Sequence, residues 1–91
     1  PEVRRDLSLL VNKSVSFDEL KKIAMATDSK ILKSVNLFDV YEGDKLPEGK
    51  KSYALSFTMA DDTKTLTDKY VDKVMEKLMK SFTDKAGAEI R

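Results

Sequence analysis

The sequence predicts an α+β sandwich in the order β-α-β-β-α-β, an antiparallel sheet with two helices on one face. Three observations carry this. Apolar residues alternate from Leu7 to Val11 and from Tyr53 to Met59, the period of a half-buried strand. Two other segments carry apolar stripes at helical spacing, each behind a residue suited to cap a helix. A length of 91 residues allows one domain with one thin core. Two one-faced helices then need a single sheet face to cover.

In the first strand, Leu7, Leu9 and Val11 share one face and Ser8 and Leu10 the other. Asn12-Lys13 interrupts it. Ser16-Phe17-Asp18-Glu19 reads as a capping box: the Ser16 hydroxyl accepts from the Glu19 amide, and the Glu19 carboxylate accepts from the Ser16 amide. Val15 and Leu20 form the hydrophobic staple around it. Leu20, Ile23, Ala24 and Thr27 line the inner face of this helix, which fades near Asp28-Ser29. Leu32 to Tyr41 is rich in β-branched and aromatic residues and reads as a second strand. Its alternation is imperfect. Ser34, Asn36, Phe38 and Val40 share one face, Val35, Leu37, Asp39 and Tyr41 the other. A bulge, or partial burial of both faces, explains such a pattern. The face carrying Phe38 and Val40 is expected to point inward.

Glu42 to Lys50 is loop by composition. The third strand alternates cleanly, with Tyr53, Leu55, Phe57 and Met59 on one face and Ser52, Ala54, Ser56 and Thr58 on the other. Asp61 to Lys64 is a turn. Thr67 caps the second helix, and Asp68 favours its positive end. Val71, Val74, Met75, Leu78, Met79 and Phe82 make its apolar stripe. Gly87 ends it, and Ala88 to Arg91 form a short final strand. The expected helix-facing core includes Leu7, Leu9, Phe38, Val40, Leu55 and Phe57. The ferredoxin-like split βαβ sandwich meets these requirements over residues 1–91. It leaves one sheet face uncovered, bearing Ser8, Ser52, Ala54, Ser56 and Thr58. Small polar residues let a ligand approach closely.

Composition narrows the function. Hydrophobic residues are 41% and charged residues 36%, a globular mix. No apolar run is long enough for a membrane helix or a signal peptide, so no membrane partner and a cytoplasmic setting are expected. The chain starts at Pro1 rather than Met and reads as a piece of a longer protein. It has no Cys and no His, which removes disulfides, zinc and iron–sulfur sites, thiol chemistry and histidine acid–base catalysis. Asp61-Asp62 lies in a turn, where Asp serves backbone geometry. Ser52 beside Lys50 and Lys51 is no more than any Lys-rich chain offers. No carboxylate spacing fits a calcium loop, and no glycine-rich motif precedes a helix. Catalysis by this chain alone is therefore not expected.

The net charge of +1, from 17 basic and 16 acidic residues, does not mark a dedicated nucleic-acid binder, which is often far more basic. Charge can still be segregated locally. RNA modules stack bases on aromatic rings and hold phosphates with Lys or Arg. Tyr41 ends strand two beside the long loop, and Arg4-Arg5 and Lys50-Lys51 are basic doublets at strand starts. Each also has an ordinary reading: an amphipathic Tyr at a strand end, and cations guarding a sheet edge. Strand three has no aromatic on its polar face, unlike the central strands of an RNA-recognition motif. The residues by themselves thus describe a binding module with a polar open face and one long loop.

Four blocks add to this: Arg4-Arg5-Asp6-Leu7, Leu37-Phe38-Asp39-Val40-Tyr41-Glu42-Gly43, Leu46-Pro47-Glu48-Gly49-Lys50-Lys51-Ser52 and Thr65-Leu66-Thr67-Asp68. Together, in this order and spacing, they resemble the ferredoxin-fold anticodon-binding domain. That domain is the C-terminal part of bacterial phenylalanyl-tRNA synthetase β subunits. The resemblance spans the whole chain. It implies that this domain holds the anticodon of phenylalanine tRNA and carries no cofactor. It further implies that catalysis with ATP and magnesium belongs to the rest of an α2β2 enzyme, through which the domain is joined to the remaining β subunit and to the α subunit. By position, Tyr41 matches the aromatic on which the first anticodon base stacks. Ser52 and Ser8 match positions close to that base. Arg5, Lys50 and Lys51 match basic positions near the RNA backbone. Asp39 matches a family acidic position, read as structural or orienting. One departure is Lys69-Tyr70, where many relatives carry acidic residues that complete a capping box; it weakens the helix start by less than about 1 kcal/mol. Two other readings compete: a structural module that only docks other domains, and a small-molecule sensor, which needs a defined polar pocket.

Overall fold

The computed structural model describes residues 1–91. The elements follow in the expected order: β1 (Val3–Asn12), α1 (Phe17–Thr27), β2 (Leu32–Tyr41), β3 (Lys50–Met59), α2 (Asp68–Ala86) and β4 (Glu89–Ile90). The strands form one antiparallel sheet ordered β2-β3-β1-β4. Strand β3 lies between β1 and β2, and β1 between β3 and β4. Each helix therefore joins two strands separated by a third, the split βαβ arrangement expected of a ferredoxin-like fold.

Local chemistry sets the helix ends. The Ser16 hydroxyl accepts from the Glu19 amide at 3.1 Å. The return half of the capping box does not form, so Ser16 alone holds the start. Val15 and Leu20 are both buried, as a hydrophobic staple requires. Beyond α1, the Asp28 carboxylate accepts from the Lys30 and Ile31 amides, each at 2.9 Å, and turns the chain into β2. Thr67 caps α2 by accepting from the Tyr70 amide at 3.2 Å. At the other end, Gly87 has φ 63°, a left-handed conformation that costs glycine little. The Gly87 and Ala88 amides donate to the Thr83 and Phe82 carbonyls.

The core lies between the helices and one sheet face. Leu9 and Val11 of β1, Leu55, Phe57 and Met59 of β3, Leu20 and Ala24 of α1, and Val71, Leu78 and Phe82 of α2 are all fully buried. The Phe57 and Phe82 rings pack at 6.0 Å between centroids, tilted by 38°. Tyr53 also points inward, and its hydroxyl donates to the Val15 carbonyl at 3.0 Å. Thr27 donates to the Ile23 carbonyl at 2.7 Å and lies 2.8 Å from the Ser81 hydroxyl, tying α1 to α2.

Strand β2 corrects the expectation. Val35 is buried opposite Phe57, and Leu37 packs on the core opposite Leu55. Phe38 and Val40 do not join the core; they are 53% and 44% exposed. Two register shifts explain this, one between Leu32 and Ser34 and one between Leu37 and Asp39. The second makes Phe38 an extra residue against β3. Beyond it, Val40 faces the helix side opposite Tyr53 but sits on the edge strand, outside the cover of the helices.

Candidate nucleic-acid interface

The pairing of β2, β3 and β1 builds the open face in rows. Tyr41, Ser52 and Leu10 form one row across the sheet; Asp39, Ala54 and Ser8 form the next. Asn36, Ser56 and Asp6 follow, then Ser34, Thr58 and Arg4. Directly opposed side chains on one face stand about 5 Å apart. Tyr41, Ser52 and Ser8 thus share a small patch, with Ser8 on the diagonal from Ser52. Lys50 alternates onto the same face two residues before Ser52, and its ammonium donates to the Asn12 side-chain oxygen at 2.8 Å.

Tyr41 is 42% exposed at the end of β2, where the loop begins. That loop is anchored. Leu46 is buried, and its amide donates to the Gly43 carbonyl at 3.1 Å; the Lys13 amide donates to the Gly49 carbonyl at 2.9 Å. Gly43 lies against the hydroxyl end of Tyr41. A Cβ at Gly43 would come within 2.6 Å of Tyr41 Cζ and would collide with the hydroxyl oxygen. Gly43 does not have a positive φ, so glycine is needed here for room, not for backbone freedom. The close approach fixes where the ring can lie.

The structure separates the basic residues expected at the site. Arg5 pairs with Phe57 in register and lies on the helix side, its guanidinium 3.4 Å from the Asp68 carboxylate at the start of α2. Lys51 is opposite Val11 on that same side, with its ammonium 4.6 Å from the centre of the Tyr53 ring. Tyr41, Ser52, Ser8 and Lys50 are brought together; Arg5 and Lys51 are not. Adjacent strand residues point to opposite faces, so each basic doublet divides.

Three features of the site were missed by counting along the sequence. Phe38 is on the open face, since its ring lies under the guanidinium of Arg4, 5.4 Å from the ring centre, and Arg4 belongs to the outer row with Thr58. Arg4 is held there by a bond from its Nε to the Asp6 carboxylate at 2.9 Å. The room at Gly43 is the third feature. A Phe-x-x-Tyr spacing across a bulge was the available signal for the first.

Electrostatically the open face is mixed, with Arg4 compensated by Asp6, while Lys50 and Asp39 have no ion-pair partner. The carboxyl with a resolved shift is remote. Asp61 lies beyond the other end of β3, and donation from the Thr63 hydroxyl, then from the Thr63 amide, holds it below its ordinary value of 3.8. A shallow groove of about 430 Å³ follows the β2–β3 loop between Lys13 and Lys50, lined by charges of both signs.

Comparison with known proteins decides the family. The ferredoxin-fold anticodon binding domain matches residues 1–91.

The chain belongs to this family.

Over all 91 residues it is 56% identical to the phenylalanine–tRNA ligase β subunit of Bacteroides fragilis and 55% identical to that of Bacteroides thetaiotaomicron. It is 43% identical to that of Clostridium acetobutylicum. The chain spans 11–12% of the length of these relatives. No helix of this anticodon-binding domain is long and apolar enough to cross a membrane.

Proposed function

We propose that this domain holds the anticodon of phenylalanine tRNA for a phenylalanine–tRNA ligase and performs no chemistry itself. The carrying observation is the exposed Tyr41 ring, its hydroxyl end against Gly43, beside the small residues Ser52 and Ser8 on the uncovered sheet face. An unpaired base stacks on the ring, and the serines leave it room to approach. Lys50 supplies a positive charge on the same side. Arg5 and Lys51, on the helix side, serve RNA only where the backbone passes around the ends of their strands. The 56% identity to a ligase β subunit supports the choice of tRNA. The remaining β subunit and the α subunits of an α2β2 enzyme are the partners in this reading. ATP and magnesium are used there, not in this domain, and the setting is the cytoplasm.

The test uses the complete ligase carrying this domain. A base–aromatic stack is worth roughly 1–3 kcal/mol, so Tyr41→Ala weakens tRNA binding about 5- to 150-fold, while Tyr41→Phe keeps most of the affinity. If Tyr41→Ala folds normally and leaves both affinity and charging unchanged, the stacking role is wrong and the domain only docks its neighbours.

A further inference from the structure

We infer that Phe38, with the Arg4 guanidinium against its ring, is a second nucleobase platform, taking another unpaired base of the RNA loop that engages Tyr41. This rests on the anticodon-binding reading above and extends it to a residue and a second base.

A single exposed Phe is ordinary on a protein surface. Three observations set Phe38 apart. First, it is turned out by a register shift that spends one extra residue on it, and that shift also carries Tyr41 onto the same face. Without it, residues three apart on a strand point to opposite sides. Second, the ring is prepared for stacking. Arg4 sits 5.4 Å from its centre, and the 2.9 Å bond to Asp6 holds the guanidinium in place, while 53% of Phe38 stays exposed. A guanidinium plane stacks on bases as aromatic rings do, and it adds a charge for a nearby phosphate. Third, the surroundings are polar. The flanking rows of the open face carry Asn36, Ser56 and Asp6 on one side and Asp39, Ala54 and Ser8 on the other, and the exposed Val40 lies on the other side of β2. A protein-docking anchor would be expected within an apolar patch. An isolated ring with a cation on it, on a polar floor, fits a nucleobase.

The spacing selects the kind of RNA. Along β2 the Cα atoms that carry the two rings are about 8–10 Å apart, the bulge shortening the advance. Bases stacked on each other rise only about 3.4 Å. The bases on Phe38 and Tyr41 therefore cannot be stacked neighbours. They are splayed bases of a single-stranded loop, with the small side chains of Ala54 and Ser56 beneath the strand between them.

The experiment uses the complete ligase and a phenylalanine tRNA transcript whose anticodon-loop nucleotides are made abasic one at a time. Phe38→Ala and Phe38→Leu should each weaken binding of the intact tRNA about 5- to 150-fold, and Phe38→Tyr should retain it. In the parent enzyme two loop positions should be sensitive to base removal. Phe38→Ala should erase the sensitivity at one, and Tyr41→Ala at the other. If Phe38→Leu binds like the parent while Tyr41→Ala is weakened, the second platform is wrong and the first reading stands. If neither variant changes affinity, both fail. If Phe38→Ala instead impairs assembly of the subunits while the assembled enzyme binds tRNA normally, Phe38 is a protein contact and the inference is overturned.

Discussion

Gly43→Ala isolates the placement of the Tyr41 ring from its presence. The new methyl would lie 2.6 Å from Tyr41 Cζ, whereas ordinary contact begins at 3.4 Å. The ring must retreat by roughly 1 Å. A gap of 0.5–1 Å forfeits about a quarter to a half of a dispersion contact. Applied to a stack worth roughly 1–3 kcal/mol, this loses about 0.25–1.5 kcal/mol, or a ~1.5- to 13-fold weaker complex. Folding should not suffer. The Gly43 backbone is outside the positive-φ region, and the colliding group is a half-exposed side chain that can swing. A compatible Gly→Ala change often stabilises by about 0.4–1 kcal/mol through the unfolded chain. The assay is a tRNA titration of the complete ligase as a double-mutant cycle with Tyr41→Ala, alongside thermal melts. Gly43→Ala should weaken binding in the parent and cost nothing once Tyr41 is Ala. Equal losses in both backgrounds, or none in the parent, would refute the positioning argument.

Phe57→Ala empties a fully buried site against Phe82 and should cost about 3–5 kcal/mol; a melt matching the parent would mean that β3 is in the wrong register. Tyr53→Phe leaves the buried Val15 carbonyl without its donor and should cost about 1–3 kcal/mol in chemical denaturation, with an unchanged midpoint speaking against that bond. Lys50→Ala should lower the salt slope of tRNA binding by about 1, whereas Lys51→Ala should change it less, because that ammonium rests on Tyr53 on the helix side; the reverse order would place the RNA backbone elsewhere. Asp61 is held ionised below 3.8 by Thr63, so what it contributes to stability is present above that pH and is lost as pH falls through its lowered value. Thr63→Ala keeps the amide bond and removes the hydroxyl bond, so it should move the Asp61 titration, followed by NMR, part of the way back toward 3.8; an unmoved titration would show that the hydroxyl bond is not its main cause.

The elements and their ends were legible because their causes are local. Ser16, Thr67 and Gly87 act on groups three to five residues away, so letters close in sequence carry the whole argument. Strand β3 is held by neighbours on both sides and keeps a strict alternation, which made its inner and outer faces readable. The family was legible too, from blocks that span the chain. Tyr41 and the polar face with Ser52 and Ser8 were read from the residues, their roles toward the anticodon came from that resemblance, and the structure places them on one patch.

What the sequence alone determined was therefore the element order, the caps, the polar character of the open face and the family. The tertiary structure decided which side of β2 faces inward and that Phe38 and Tyr41 share a face. The reason is the edge position of β2. Only β3 pairs with it, so it absorbs two register shifts, and each one-residue slip exchanges the faces beyond it. Unbroken alternation would put Phe38 and Tyr41 on opposite sides, since they are three residues apart. Pairing with β3 puts both on the open face, with Arg4 drawn over one ring and Gly43 against the hydroxyl end of the other. The basic doublets needed no such information: alternation from Ser8 and Ser52 already puts Arg4 and Lys50 outward and Arg5 and Lys51 inward, and the pairing of β1 with β3 has them so. The β2–β3 slips and the contact of Arg4 with Phe38 join residues far apart in the chain, which no count along the sequence contains.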